Sequence, residues 1–297
     1  MQKIYDAVII GAGIAGITSA IYLKRAGLDI VIIDSYAPGG QLNKISTIEN
    51  YPGFKQITGP ELSQNLYEQL KQQQIEYKYG KAEEIIDKTT TKIVKTDQEQ
   101  LETKYIILAL GRTPNKLNIE KEDKLLNKGI SYCALCDGPL FKNKNVAVVG
   151  SGNSAIEESL YLSKICNKIT ILIRNDKIKA EEKMVQQLKN RPNIEIKYNT
   201  QIKEIIEENN KLKAIKTNNE TIEVQGLFIY IGSTPNTKFL PNIETENKFI
   251  KVDKNMKTSI DKIYAVGDVI KKDVYQLTTA ASDATIAAIA IKNEINN

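Results

Sequence analysis

Twice in this chain a short apolar run ends in a glycine-rich turn, continues as a helix and returns as a second apolar run. The first copy begins at Ala7-Val8-Ile9-Ile10, passes through Gly11-Ala12-Gly13-Ile14-Ala15-Gly16, and carries helical apolar spacing at Ile17, Ala20, Ile21 and Leu23 up to Gly27. It closes on Ile30-Val31-Ile32-Ile33-Asp34. Unbroken apolar runs of this length fit buried parallel strands. The three glycines have separate uses: a tight turn, close approach of backbone to a pyrophosphate, and close helix–strand packing. The helix N-terminus then offers its unpaired N–H groups and dipole to phosphate. Asp34, 18 residues beyond Gly16, stands where a carboxylate accepts from ribose hydroxyls. The second copy starts 139 residues later, with Val146-Ala147-Val148-Val149, Gly150-Ser151-Gly152-Asn153-Ser154-Ala155, a helix with Ile156, Leu160, Leu162 and Ile165 as apolar positions, and Ile169–Ile173.

Two further segments match each other. Ile106–Leu110 leads into Gly111-Arg112-Thr113-Pro114-Asn115, and Leu227–Ile231 leads into Gly232-Ser233-Thr234-Pro235-Asn236. Each is an apolar strand stopped by proline, as expected where a strand returns at a domain crossing. A length of 297 residues accommodates about two domains of roughly 150 each. We therefore expect an α/β protein of two Rossmann-like, three-layer ββα dinucleotide-binding domains, the second inserted into the first. Hinges are expected near Asn115–Lys116 and near Glu244–Asn247. The first domain is then 1–115 plus 245–297, and the insert is 116–244.

Composition narrows the chemistry. With no histidine, Ser-His-Asp and Cys-His catalysis and every His-ligated metal site are excluded. The cysteines are Cys133, Cys136 and Cys166, one short of an all-cysteine zinc site, so no metal is expected. Three cysteines at this length suit a reducing, cytoplasmic setting. A net charge of +5, mostly from lysine, without a basic stripe interleaved with aromatics, argues against nucleic acid. No apolar run approaches the ~20 residues of a membrane span, and Asp6 interrupts any signal-like start.

Cys133-Ala134-Leu135-Cys136-Asp137 is the chemical centre. Two intervening residues let the sulfurs pair within one turn and exchange with external thiols. A Cys-x-x-Cys beside βαβ units reads as redox, against the alternatives of half a zinc site or two buried thiols. Asp137 reads either as the acid that protonates a leaving thiolate or as a helix cap, and the two roles are compatible. Cys166, in Leu162-Ser163-Lys164-Ile165-Cys166, is expected on a helix face as an inert core residue.

The wording of these motifs is specific. Ser131–Gly138 resembles the redox segment of the low-molecular-weight thioredoxin reductases. Gly39-Gly40-Gln41-Leu42 and Ile48-Glu49-Asn50-Tyr51-Pro52-Gly53 resemble that family's flavin-contacting stretches, and Thr258-Ser259 with Ile263–Val269 resembles its second FAD motif. The resemblance runs the length of the chain, in order. It implies FAD in the first domain, with pyrophosphate at Gly11, Gly13 and Gly16 and ribose at Asp34. Gly40, Gln41 and Asn50 would approach the isoalloxazine, Asp268 the ribityl chain and Gln276 the pyrimidine end. It implies that reduced flavin passes electrons to Cys133–Cys136, which then reduces thioredoxin or a thioredoxin-like protein. Cys136 would lie nearest the flavin, Cys133 would attack the partner, and Asp137 would be the acid. It further implies a homodimer and rotation of the inserted domain between half-reactions.

The sequence departs from the resemblance in two places. NADPH-specific members carry His-Arg-Arg-x-x-x-Arg after the second strand of the insert; here Ile173-Arg174-Asn175-Asp176-Lys177-Ile178-Lys179 keeps Arg174 and replaces the last arginine by Lys179. Gly150, Gly152 and Ala155 retain the pyrophosphate turn. Three donors fit: NADPH held through Arg174, Lys177 and Lys179; NADH; or a ferredoxin- or flavodoxin-type protein with the second fold as scaffold. The family's Arg-Gln near the flavin is Tyr275-Gln276 here, which removes one fixed positive charge. The leading function is an FAD-dependent thiol–disulfide oxidoreductase that reduces thioredoxin. Reduction of a peroxiredoxin-linked partner or small disulfide, and a non-enzymatic flavin redox sensor, are the competing readings. A ferredoxin–NADP reductase on this scaffold would lack the Cys-x-x-Cys.

Overall fold

Strand β1, Ile4–Ile10, is buried along most of its length, and helix α1, Ile14–Arg25, and strand β2, Ile30–Asp34, complete the first βαβ unit. In the computed structural model, which describes residues 3–45, 47–237, 239–240 and 242–296, the turn between β1 and α1 is built for glycine. Gly11 has φ +105°, and a Cβ there would lie 2.3 Å from the Ala109 carbonyl oxygen. A Cβ on Gly16 would lie 1.8 Å from the Gly11 oxygen, so α1 can sit this close only without one.

Helix α2, Gly59–Gln72, opens on a capping box between Thr58 and Glu61. Strands β3 (Glu76–Tyr79), β4 (Ala82–Asp87), β5 (Lys92–Thr96) and β6 (Gln100–Leu108) follow, and β7, Arg112–Pro114, carries the chain to the second unit. The sheet order is β3-β2-β1-β6-β5-β4. The first four strands are parallel, whereas β5 runs antiparallel to the first half of β6 and β4 runs antiparallel to β5 at the edge. Alternation sends Ala7 and Ile9 of β1 to the helix-side core with Ile17, Leu23 and Leu70, and Val8 and Ile10 to the meander-side core with Val94 and Leu101. Each such buried valine, leucine or isoleucine contributes about 1.5–3 kcal/mol relative to exposure.

The second unit repeats the plan. Its elements are β8 (Ile130–Ser131), the single turn α3 (Ala134–Asp137), β9 (Asn145–Val149), α4 (Asn153–Leu162), β10 (Lys168–Leu172), α5 (Glu182–Lys189) and β11 (Ile194–Lys197). Then come β12 (Ile202–Glu208), β13 (Lys211–Thr217), β14 (Thr221–Glu223) and β15 (Gly226–Ile229). The parallel sheet is β11-β10-β9-β15-β8, and β12-β13-β14 is an antiparallel sheet of its own. Helices and meander again enclose separate cores on the two faces.

The chain returns through β16 (Ser233–Pro235), β17 (Thr245–Glu246), β18 (Phe249–Ile250), β19 (Ile263–Ala265) and α6 (Leu277–Asn296). Strand β19 pairs in parallel with the second half of β6, and α6 packs its Ala280, Ala284 and Ala287 into the core shared with α1. The α/β class and the insertion of one dinucleotide fold in another are thus present.

Three details differ from the sequence reading. The units divide as Met1–Thr113 with Thr234–Asn297, and Pro114–Ser233. The second crossing therefore falls at 233/234 rather than near Glu244–Asn247. The reason is that Phe239, Leu240 and Ile243 pack against the meander-side core of the first unit, so this stretch belongs to its fold. In α4, Leu160 is only partly buried, while Ser159 is fully buried with its hydroxyl donating to the Ala155 carbonyl at 2.6 Å. That bond satisfies the hydroxyl and lets a small polar side chain take the core position. Cys166 lies in the turn after α4, not on it. It is nevertheless buried in the helix-side core, which pushes its thiol up to about 11.

Candidate active site

The redox centre is built entirely within the second unit. Cys133 and Cys136 form a disulfide with Cα atoms 5.3 Å apart. Cys133 is the N-cap of α3, and its sulfur accepts the Cys136 backbone N–H at 3.2 Å. Ser131, at the end of β8, holds the entry: its hydroxyl accepts the Cys133 N–H at 3.0 Å and donates to Asp137 Oδ2 at 2.6 Å. Burial pushes the Asp137 carboxyl above its ordinary range, opposed by the Ser131 hydrogen bond. Asp137 is therefore a helix-terminal carboxyl fixed within the cysteine turn and biased toward its proton-carrying form. Tyr230, just beyond β15, reaches across with its hydroxyl to accept the Ala134 N–H at 2.5 Å. Tyr132 donates to the buried Glu122 carboxylate at 2.7 Å, and that carboxylate also accepts the Leu117 and Asn118 N–H groups. Leu135 stands exposed between the cysteines.

The expected flavin residues all lie on the first unit, and short contacts bring Asp34, Gly40 and Gly267 to the glycine turn at the C-terminal end of β1. The Ala12 N–H donates to Asp34 Oδ2 at 2.7 Å and the Tyr36 N–H to Oδ1 at 3.0 Å. Burial raises the Asp34 carboxyl despite these donors. The Gly39 N–H donates to the Ala12 carbonyl at 2.7 Å, and a Cβ on Gly40 would lie 3.3 Å from Gly13 Cα. Gln41 follows in the short 3₁₀ turn Gly40–Lys44 and is exposed. On the other side, a Cβ on Gly267 would lie 2.9 Å from the Ala15 Cβ, which seats Asp268 against the first turn of α1. The loop bearing Asn50 is closed by the Ile48/Ile57 bridge, and Asn50 Nδ2 donates to Gln276 Oε1 at 3.3 Å although 226 residues separate them.

These residues fit a dinucleotide. A Cβ at Gly13 meets nothing within 4 Å, so the turn is open where phosphate must approach, while Gly11 and Gly16 are packed tight. A carboxylate accepts about four hydrogen bonds, so Asp34 keeps capacity for a ribose hydroxyl after its Ala12, Tyr36 and Ser35 backbone donors are counted. The second turn shares the pattern. Gly152 is open, Gly150 (φ +147°) would place a Cβ 2.8 Å from Ala155 Cβ, and the Lys179 N–H donates to the Ser151 carbonyl at 2.7 Å. Arg174, Lys177 and Lys179 are exposed beyond β10, in company with the exposed Asn175 and Asp176.

Three residues escaped sequence reasoning as participants. Ser131 lay inside the quoted motif without a role. Tyr230 read only as part of an apolar strand. Arg112 read as a hinge residue, but its guanidinium lies 3.8 Å over the Tyr275 ring and its Nε 3.5 Å from Asp268 Oδ2. A positive charge thus stands beside Tyr275 and Asp268, supplied from β7.

The geometry defines a dinucleotide-binding disulfide oxidoreductase, and comparison with known proteins agrees. The family model described as pyridine nucleotide-disulphide oxidoreductase matches residues 5–285, and the chain belongs to that family. It is 43% identical over 302 residues to a thioredoxin reductase of Ureaplasma parvum, covering 99% of this chain and 98% of that protein. A crystal structure of thioredoxin reductase from Streptococcus pyogenes superposes with a TM-score of 0.94 at 35% identity, covering 100% of this chain and 99% of that one. A ferredoxin-flavin thioredoxin reductase from Clostridium acetobutylicum superposes with a TM-score of 0.56 at 30% identity, covering 100% and 99%. Within the family the chain is thus of the low-molecular-weight thioredoxin reductase type. It is an enzyme, a flavin-dependent oxidoreductase acting on a sulfur group. Among the described residues no helix is long and apolar enough to cross a membrane.

Proposed function

We propose that this chain reduces thioredoxin, or a thioredoxin-like protein, with the Cys133–Cys136 pair as its working disulfide. FAD would be held by Gly11, Gly13, Gly16, Asp34, Gly40, Gln41, Asn50, Asp268 and Gln276. When bound, it supplies the two electrons that open the disulfide. The observation that carries the reading is the cysteine turn itself, with the Cys136 N–H aimed at Cys133 Sγ over 3.2 Å.

In the dithiol form that N–H stabilises a thiolate at Cys133, which makes Cys133 the attacking sulfur. It bonds to one sulfur of the partner's disulfide and releases the other as thiolate, which takes a proton. Cys136, as thiolate, then attacks Cys133 Sγ, restores the disulfide and releases the second partner thiol. Asp137, whose carboxyl burial raises above its ordinary range, is the proton source for a leaving thiolate and the acceptor when the dithiol re-forms its thiolate. Ser131 keeps that carboxyl in place.

NADPH is the favoured donor, held at the Gly150–Gly152–Ala155 turn with its extra phosphate met by Arg174, Lys177 and Lys179. The second reading is a ferredoxin- or flavodoxin-type protein donor. It is favoured by Asn175 and Asp176, which place a neutral group and a carboxylate where a phosphate clamp needs cations. NADH is the third. Anaerobic mixing with NADPH, then NADH, followed by the visible flavin band, separates them. Rapid bleaching by NADPH removes the protein-donor reading, and bleaching by neither nucleotide supports it. Adding thioredoxin and following its reduction tests the acceptor. A cytoplasmic setting, a homodimer and rotation of the inserted unit between half-reactions belong to the same reading.

A further inference from the structure

We propose that Arg112 sets the charge of the flavin pocket: stacked on Tyr275 and paired with Asp268, its guanidinium secures FAD and raises the flavin's reduction potential. The proposal rests on the reading that FAD lies on the first unit.

The chain has only four arginines, and one of them is committed here. The guanidinium lies 3.8 Å from the Tyr275 ring centroid, a stacking that arginine makes and lysine does not reproduce. Its platform is fixed, because the Tyr275 hydroxyl donates to the Ile270 carbonyl at 3.4 Å and the ring packs on Phe249 with centroids 5.8 Å apart. The next residue is Gln276, joined to Asn50. The other face of the cluster is Asp268, which follows the glycine packed on α1.

Two cations face Asp268, Arg112 and Lys272. Lys272 is taken up by Asp283, at 2.7 Å with both side chains largely buried. Arg112 is thus the cation that balances the Asp268 carboxylate. Without it, a partly buried carboxylate stands beside the place proposed for the ribityl and pyrimidine ends of the cofactor. That charge opposes both the phosphate-bearing ligand and the added electrons, because reduction makes flavin more negative and a nearby cation favours that state.

The test compares full-length wild-type protein, Arg112→Ala, Arg112→Lys and the double variant Arg112→Ala/Tyr275→Arg. FAD affinity is read by titration of the apoprotein, and reduction potential by equilibration with a reference dye. We expect Arg112→Ala to weaken FAD binding about tenfold and to shift the reduction equilibrium about tenfold toward oxidised flavin, about 30 mV for a two-electron couple. Arg112→Lys should recover part of both. The double variant should restore both to within about threefold, because the native side chain at 275 already reaches within 3.8 Å of the lost guanidinium. If Arg112→Ala fails to fold, Arg112→Gln carries the same expectation. Affinity and potential both unchanged in a folded Arg112→Ala or Arg112→Gln protein overturn the proposal, as does a double variant no better than the single one. Wild-type protein that takes up no FAD overturns the reading of the site instead.

Discussion

The Cys136 backbone N–H points at Cys133 Sγ over 3.2 Å, while the Ala134 N–H is occupied by the Tyr230 hydroxyl. The turn therefore gives one sulfur a hydrogen-bond donor, which favours the thiolate at that sulfur after reduction. We expect iodoacetamide at neutral pH to alkylate Cys133 ahead of Cys136 in the reduced protein, read by peptide mass spectrometry. Cys133→Ser should leave flavin reduction intact and cut disulfide turnover by about 10³-fold or more. Faster labelling of Cys136 would reassign the attacking thiol.

Ser131 and Asp137 make a pH-dependent pair. Burial raises the Asp137 carboxyl and the Ser131 hydrogen bond lowers it. An acid acts while protonated, so its contribution is complete below its pKa and fades as pH rises through it. Ser131→Ala removes the lowering influence and leaves burial, so the alkaline limb of the rate profile should move to higher pH. The same change strands the Cys133 N–H, at a cost of about 1–3 kcal/mol in stability. A profile that stays in place, or moves to lower pH, contradicts this account of Asp137.

Tyr230→Phe tests the other support. It removes the acceptor of a backbone N–H on the fully buried Ala134 without changing the ring. We expect a loss of about 1–2 kcal/mol, seen as a lower urea midpoint at constant slope. An unchanged midpoint would show that solvent replaces the bond at no cost.

What was legible in the sequence was whatever repeats or has a fixed local spacing. Both glycine turns, the buried strands and Cys133–Asp137 are local patterns whose physics acts within a few residues. The second crossing was not legible, because Phe239, Leu240 and Ile243 are too few and too irregular to announce a fold, and only their packing on the first unit's core assigns them. Ser131 was visible but silent, since its two partners depend on a turn that has to form first. Tyr230 and Arg112 act across 96 and 156 residues, on Ala134 and Asp268. One polar tip at the end of an apolar strand does not say what it will meet. The Asn50–Gln276 contact was reachable only through resemblance, for the same reason.

Glu158 gives the last expectation. Its Oε2 is buried without a hydrogen-bond partner, beside Leu135 and Tyr161 on the cleft below the cysteine turn, and burial with the neighbouring Glu157 pushes its carboxyl up to about 7. The unfolded value is near 4.5. The folded protein thus holds this proton more tightly than the unfolded chain, so Glu158 contributes fully below about pH 4.5, and that contribution is lost as pH rises toward 7. Above 7 the carboxylate is charged and poorly solvated. Glu158→Gln cannot ionise and escapes that penalty. It should match wild type in stability near the acid end and exceed it by about 1–2 kcal/mol at pH 8, the partial exposure of the side chain screening the rest. Urea unfolding across this range checks it. Parallel curves for the two proteins would mean that Glu158 is solvated and ordinary, whereas a gap that opens between pH 4.5 and 7 marks it as a buried acid next to the redox turn.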